Sequence, residues 1–210
     1  RTHVARYWDV AATPVRAWDD AEAAAAVRGA LATAVDRQMM SDVPLGVFLS
    51  GGIDSSAIAA FMADAAKRRG VSVTSFSMGF RDQSYNELPY AREVAQRFGL
   101  THVEDIVTAD VAALFDPLVS HLDEPFADVS FFPTYLVSRL ARQHVKGVLA
   151  GDGGDELFGG YDAYAAQAMA ARLSRVTPDV AWRLADRVAQ LVPPSEQKKG
   201  ALNKVKRFLS

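Results

Sequence analysis

The amino-acid sequence predicts an α/β protein: a parallel sheet with helices on both faces, followed by a helical C-terminal part. Three observations carry that expectation. Short candidate strands near 47–49, 71–78, 102–107 and 147–150 alternate with longer segments of helical periodicity. Two of these strands empty directly into glycine-rich turns, at 50–55 and 151–160. Beyond Tyr161 the pattern is helical only, with breaks at Pro178 and Pro193-Pro194.

Taken in order, residues 1–18 read as an irregular, partly extended lead-in, interrupted by Pro14. Asp19 and Asp20 offer N-caps to a helix reaching about Met40, whose apolar spine is Ala23, Val27, Ala30, Leu31, Ala34 and Val35. Pro44 and Gly46 precede Val47-Phe48-Leu49, which reads as a buried strand. After the turn at Ser50–Ser55, an Ala- and Ile-rich helix runs from Ser56 to about Lys67. Val71–Met78, rich in β-branched residues, is the next strand. A helix from about Glu87 to Phe98 ends at Gly99, a natural stop. Then come a strand at His102–Val107, a helix at about Asp110–Leu122, a loop at Asp123–Asp128, a helix at about Phe132–His144 and a strand at Gly147–Ala150.

The 210 residues suffice for one well-buried domain with a small appendage. Half of them are hydrophobic and 23% are charged, the balance of an ordinary globular chain. A net charge of −2 supplies no global basic field, so nucleic acid and anionic membranes are not expected partners. No apolar run is long enough to cross a bilayer, and Arg1–Trp8 lacks the apolar core of a signal peptide. Cysteine is absent, which removes disulfides, thiolate zinc sites and a cysteine nucleophile. It also fits a reducing compartment, and a cytoplasmic location is expected.

The first glycine-rich turn, Ser50-Gly51-Gly52-Ile53-Asp54-Ser55, lies at the carboxyl end of a predicted parallel strand, where ligands of open sheets bind. Its glycines let backbone approach a ligand closely, its serines offer hydroxyl donors, and the following helix presents free N–H groups. Together these suit a phosphate. Asp54 would repel one, unless it holds a Mg²⁺ that in turn holds the phosphates. Three other phosphate motifs are excluded. There is no Gly-Lys pair for a Walker loop, Glu156 occupies the third glycine's place in a dinucleotide pattern, and neither His-Arg-Asp nor Asp-Phe-Gly occurs.

The second turn packs Asp152, Asp155 and Glu156 among five glycines between 151 and 160. Carboxylates this close repel one another, and a cation or a cationic substrate group would relieve that. A calcium loop starting at Asp152 would place Gly154 and Glu156 at ligand positions three and five and lacks the downstream Glu. Facing each other across the sheet edge, Asp54 and Asp155 could share Mg²⁺ on a pyrophosphate, leaving Asp152 for acid–base or positioning work near a reacting amine.

Residues 41–56 and 150–161 closely resemble the synthetase domain of the glutamine-dependent asparagine synthetase family, and 75–80 and 133–139 match it as well. The resemblance implies an adenine nucleotide α-hydrolase-like (N-type ATP pyrophosphatase) fold. It implies an AMP-forming ligase in which aspartate's side-chain carboxylate attacks the α-phosphate of ATP, releasing pyrophosphate, and ammonia then displaces AMP. By position, Leu49, Met78, Ala150 and Gly151 would contact the nucleotide. Ser50, Gly51, Gly52, Asp54 and Ser55 would hold pyrophosphate, with Asp54 and Asp155 on Mg²⁺. Asp152 stands where many members have Glu. The acceptor region, in which Asp128 and Ser130 are candidate contacts, lacks the Thr and Arg that some members use on aspartate. The acceptor therefore stays open: a β-lactam synthetase, a lasso-peptide cyclase or a non-catalytic nucleotide-binding domain are the alternatives.

The resemblance also implies a glutaminase domain, normally in the same chain, as the source of ammonia from glutamine. Residues 1–18 are then a linker from it, and 19–210 a synthetase domain that continues further toward the C-terminus. A homodimer is a further expectation. The basic stretch 198–207 reads as a solvated helical face. His102 reads as structural, and Trp8, Trp18 and Trp182 as packing residues.

Overall fold

Asp19 opens the first helix by accepting the Glu22 amide at 2.8 Å, and α1 (Asp20–Gln38) follows. The computed structural model describes residues 2–7, 9, 16–82, 86–108, 111–124, 126–128 and 130–174. The expected breaks at Pro14, Pro178 and Pro193-Pro194, the basic stretch, Trp8 and Trp182 lie outside them. The chain divides into two compact units, residues 1–151 and 152–210.

In the first unit α1 is followed by β1 (Leu45–Phe48), α2 (Ile53–Arg69), β2 (Thr74–Gly79), α3 (Leu88–Phe98), β3 (Thr101–Ile106), α4 (Val111–Val119), α5 (Phe131–Ala141) and β4 (Gly147–Leu149). All pairings are parallel, in the order β3-β2-β1-β4. Both β2 and β4 pair with β1, so Val47 stands opposite Ser75 on one side and Leu149 on the other.

Side chains alternate along each strand, so consecutive apolar residues feed two cores. Val47, Leu49, Val73 and Leu149 face the layer of α1, α2 and α3, packing with Val35, Met39, Ala59, Met62, Ala65, Ala66, Ala91 and Ala95. Phe76 meets Ala141 and Val145 on the other face, with Phe48, Val103 and Val148 alongside. Phe76 and Met62 are fully buried, and each contributes roughly 1.5–3 kcal/mol. Helices therefore cover both faces of the sheet.

Most element ends shift by one to three residues, and three differences from the sequence expectation are the larger ones in consequence. The second helix starts at Ile53, not Ser56, which puts Asp54 and Ser55 in its first turn. Apolar spacing marks only the part of a helix that packs on the sheet, and the first turn of α2 extends beyond it. Pairing on β2 begins at Thr74, because the Val71 amide bonds the Ala66 carbonyl in the cap of α2 at 3.1 Å. The second glycine-rich turn contains a short helix, α6 (Gly154–Phe158), in the second unit. There it is followed by α7 (Asp162–Ser174). The helical C-terminal part holds across the described residues. Among them, no helix is long and apolar enough to cross a membrane.

Candidate active site

The chain leaves β1 for β2 and β3 on one side, then returns to add β4 on the other. The strand order thus reverses between β1 and β4. The crevice at the carboxyl ends of two such strands is where open α/β sheets bind ligands. Both glycine-rich turns start there.

Leu49 extends the β1 pairing by one residue. Its amide donates to the Phe76 carbonyl at 2.9 Å, and its own carbonyl accepts the Ser77 hydroxyl. The Leu49 side chain is in the core. Met78, half-buried, sits at the same end of the adjacent strand.

The Ser50–Ser55 turn is closed by its own hydroxyls. Ser55 Oγ accepts the Ser50 amide at 3.2 Å and donates to the Gly52 carbonyl at 3.3 Å. The two hydroxyls share a bond at 2.9 Å, and Ser50 Oγ also accepts the Gly52 amide at 3.2 Å. These serines, read from the sequence as hydroxyl donors, brace the loop in the structure. Gly51 has φ +81°, and a Cβ on it would stand 2.5 Å from Tyr90 Cβ and 2.8 Å from the Ala91 nitrogen. Only glycine combines that dihedral with that proximity to α3. Nothing in the sequence pointed to Tyr90 and Ala91 as the wall behind the turn.

Gly52 is the N-cap of α2 in extended conformation, and it supplies no capping side chain. The first helical bond runs from the Ser56 amide to the Gly52 carbonyl at 3.0 Å. The preceding amides of Ile53, Asp54 and Ser55 lack intrahelical acceptors, as at any helix start. They stand at the positive end of a 17-residue helix. A helix start of this kind suits an anion. Asp54 places one half-buried carboxylate in that turn.

Gly151, just past β4, faces the same turn. A Cβ on it would stand 2.9 Å from the Ser55 nitrogen and 3.0 Å from the Asp54 carbonyl carbon. The exit of β4 through Ala150 and Gly151 therefore lies against the start of α2.

Asp128 and Ser130 precede α5. The Asp128 carboxylate accepts the Ser130 amide at 2.8 Å, which holds its carboxyl below the usual range. Because α5 leads into the amino end of β4, its own start lies toward the carboxyl edge, on the face opposite α2 and α3. Asp128, Ser130 and the Ser50–Ser55 turn thus lie toward the same edge of the sheet.

In the second unit, Asp152 is an exposed turn residue and Asp155 is half-buried in α6. Tyr161 donates its hydroxyl to Glu156 at 2.5 Å, lowering the Glu156 pKa and pushing Tyr161 up to about 12. The sequence carried no signal for that pair.

His102 is structural. Its Nδ1 lies 2.9 Å from the Ser75 hydroxyl and its Nε2 lies 3.4 Å from Glu104, which in turn pairs with Arg92. Ser75 is fully buried, so this line of residues braces β2, β3 and α3 and offers no nucleophile to solvent.

Among the described residues, no three His, Cys, Asp or Glu side chains group to hold a metal by themselves. The donor set fits Mg²⁺ nonetheless. That ion takes hard oxygens, keeps several waters and is commonly held by one or two carboxylates together with substrate phosphates. Asp54 beside the open amides supplies such a carboxylate.

The asparagine synthase family model matches residues 26–208. The chain belongs to the asparagine synthase family. A putative glutamine-hydrolysing asparagine synthetase of Mycobacterium tuberculosis is 42% identical over 156 residues, 73% of this chain and 23% of that protein. Asparagine synthetase 1 (glutamine-hydrolysing) of Bacillus subtilis is 41% identical over 139 residues, 66% of this chain and 21% of that one. A putative enzyme of the same description from Methanocaldococcus jannaschii is 45% identical over 129 residues, 61% and 24% respectively. The chain therefore spans about a quarter of the length of these asparagine synthase relatives. Its sheet, with helices on both faces and a glycine-rich turn after the central strand, agrees with the fold the family implies.

Proposed function

We propose that this chain is the carboxylate-activating part of an ATP-dependent amide ligase of the asparagine synthetase kind. The observation that carries the reading is the packing of Gly151 against Asp54 and Ser55. It draws the second glycine-rich turn's first residue onto the proposed anion site made by the first.

The amides of Ile53, Asp54 and Ser55 and the backbone of Gly51 and Gly52 hold the β- and γ-phosphates of ATP at the positive end of α2. The backbone of Leu49, Ala150 and Gly151 and the side chain of Met78 line the nucleoside. An acceptor carboxylate, taken to be the side chain of aspartate, attacks the α-phosphorus. The bond to the bridging oxygen breaks, pyrophosphate leaves with that electron pair, and an acyl-AMP forms. Ammonia then attacks the acyl carbon, AMP departs, and one proton is lost from nitrogen. Asp152 is the group proposed to take it. Mg²⁺, when bound, neutralises charge on the departing pyrophosphate. Asp54 and Asp155 are its proposed ligands, by the family's pattern. Beyond that, the chain's contribution is positioning and fixed backbone dipoles. Asp128 and Ser130 are the proposed acceptor contacts.

The relatives are named as glutamine-hydrolysing, so a glutaminase domain in the same polypeptide is the proposed source of ammonia. The proposed location is the cytoplasm. The test is ATP–pyrophosphate exchange by the full-length protein, with and without aspartate. Aspartate-dependent exchange is expected. Exchange with another acid but not aspartate would move the assignment to a relative with a different acceptor, such as a β-lactam synthetase or lasso-peptide cyclase. Tight ATP binding with no AMP formed under any condition would mark a non-catalytic nucleotide-binding domain.

A further inference from the structure

Helix α6 is five residues long and buries none of them fully. A single turn of that size does not persist by itself, because nucleation costs more than its few bonds return. What holds it is local. The Leu157 amide bonds the Gly153 carbonyl at 3.1 Å, and the Gly160 amide bonds the Asp155 carbonyl at 3.0 Å. Gly159, at φ +68°, turns the chain back over the helix end. Gly160 then passes so close to Asp155 that a Cβ on it would collide with Oδ1, while standing 3.0 Å from Cγ and 3.2 Å from Cα. The next residue, Tyr161, donates its hydroxyl to Glu156 at 2.5 Å, and its ring lies 5.7 Å from Tyr164 in the first turn of α7.

We propose that Tyr161 is a positioning residue for Asp155: it staples α6 to α7 through Glu156 and so fixes the direction in which the neighbouring Asp155 carboxylate points. The inference rests on the reading above, in which Asp155 receives the Mg²⁺ of Mg-ATP. The physical link is the helix itself. Asp155 and Glu156 are adjacent and project about 100° apart on α6. Holding one in place therefore sets the rotation of the turn that carries the other. The tie also occupies one of the two neighbouring carboxylates with a donor, which leaves Asp155 as the acid free for a cation. The bond is charge-assisted and short.

The experiment uses the full-length protein and the variants Y161F, E156Q, E156A and the double variant Y161F/E156A. Phe keeps the ring against Tyr164 and removes only the donor; Gln keeps an acceptor oxygen. Y161F is expected to raise the Mg-ATP concentration for half-maximal exchange about tenfold, the low end of what loss of a supporting partner costs a metal site. The KM for the acceptor acid and the unfolding midpoint should stay as in wild type. In the nucleotide-free, metal-free protein, amide protons of 154–158 should exchange at least about tenfold faster in Y161F, reporting α6 directly. E156A should match Y161F, the double variant should be no worse than either, and E156Q should keep most of the wild-type behaviour. Unchanged Mg-ATP dependence in Y161F, additive losses in the double variant, or an equal rise in the acceptor KM would each overturn the positioning role. A wild-type protein that exchanges with no acid overturns the functional reading instead, and this inference with it.

Discussion

Gly151 and Ser55 are in backbone contact: a Cβ on the glycine would lie 2.9 Å from the Ser55 amide nitrogen. The partner atoms belong to the first turn of α2, and backbone cannot swing aside as a long side chain would. Gly151→Ala must therefore displace either the exit of β4 or the start of α2. The expected cost is about 1–3 kcal/mol of stability, as for an overpacked core. Misplacing the proposed phosphate site by about 1 Å should lower ATP–pyrophosphate exchange about a hundredfold. Gly29→Ala is the control. Gly29 is inside α1 with nothing within 4 Å of its would-be Cβ, so the change should stabilise by about 0.5–1 kcal/mol. Urea unfolding and exchange on the same samples check both, and a Gly151→Ala protein with wild-type stability and exchange would show the contact to be dispensable.

Much of this arrangement could be read from residue order. Asp19 is the N-cap of α1 and Gly99 ends α3, as their side chains and positions predict. Val47, Phe48 and Val148 announce buried strands because a parallel sheet covered on both faces leaves no polar side to its strands. Two features were hidden, for different reasons. The true start of α2 at Ile53 was missed because Ile53 is 88% exposed; its apolar side chain belongs to no packing stripe, so periodicity is silent there. The wall of Tyr90 and Ala91 behind Gly51 and the brace between Ser50 and Ser55 are products of tertiary closure. A serine in a glycine-rich turn reads equally as a ligand donor or as a loop brace, and only geometry shows the second use.

Acid should weaken the brace at His102. Its imidazole is 13% exposed at the side chain and lies among Ser75 of β2, Glu104 of its own strand and Arg92 of α3. Burial is the largest influence and lowers its pKa; Arg92 acts in the same direction, and Glu104 opposes them. A base whose pKa is lowered on folding binds protons less readily in the native state than in the unfolded chain. Its stabilising contribution is thus complete above the unfolded value near 6.5 and is lost as pH falls from there through the lower native pKa. Glu104 is also lowered, below its ordinary 4.5, so it stays ionised across the pH range tested below. Denaturant unfolding at about pH 7.5 and about pH 5.5 should show stability falling with acidification. The fall should be clearly shallower in His102→Gln. Parallel slopes in the two proteins would remove His102 as the titrating group.

Asp54→Asn separates the two jobs open to a carboxylate in the first turn of α2. As an anion at the positive helix end, Asp54 contributes about 0.3–1 kcal/mol to folding. Asn has nearly the same shape and removes only the charge, so the stability loss should stay within that range. As the proposed Mg²⁺ ligand, the same carboxylate would hold the ion whose charge stabilises the departing pyrophosphate by several kcal/mol. Exchange should then fall by about a thousandfold or more, and it should do so with the fold intact. The two outcomes are read on one sample: unfolding by denaturant, then ATP–pyrophosphate exchange over a titration of Mg²⁺. Partial recovery at high Mg²⁺ is consistent with a weakened ligand set. If Asp54→Asn exchanges like wild type at equal Mg²⁺, the carboxylate is a helix-terminus charge and nothing more, and the metal must be held by other residues.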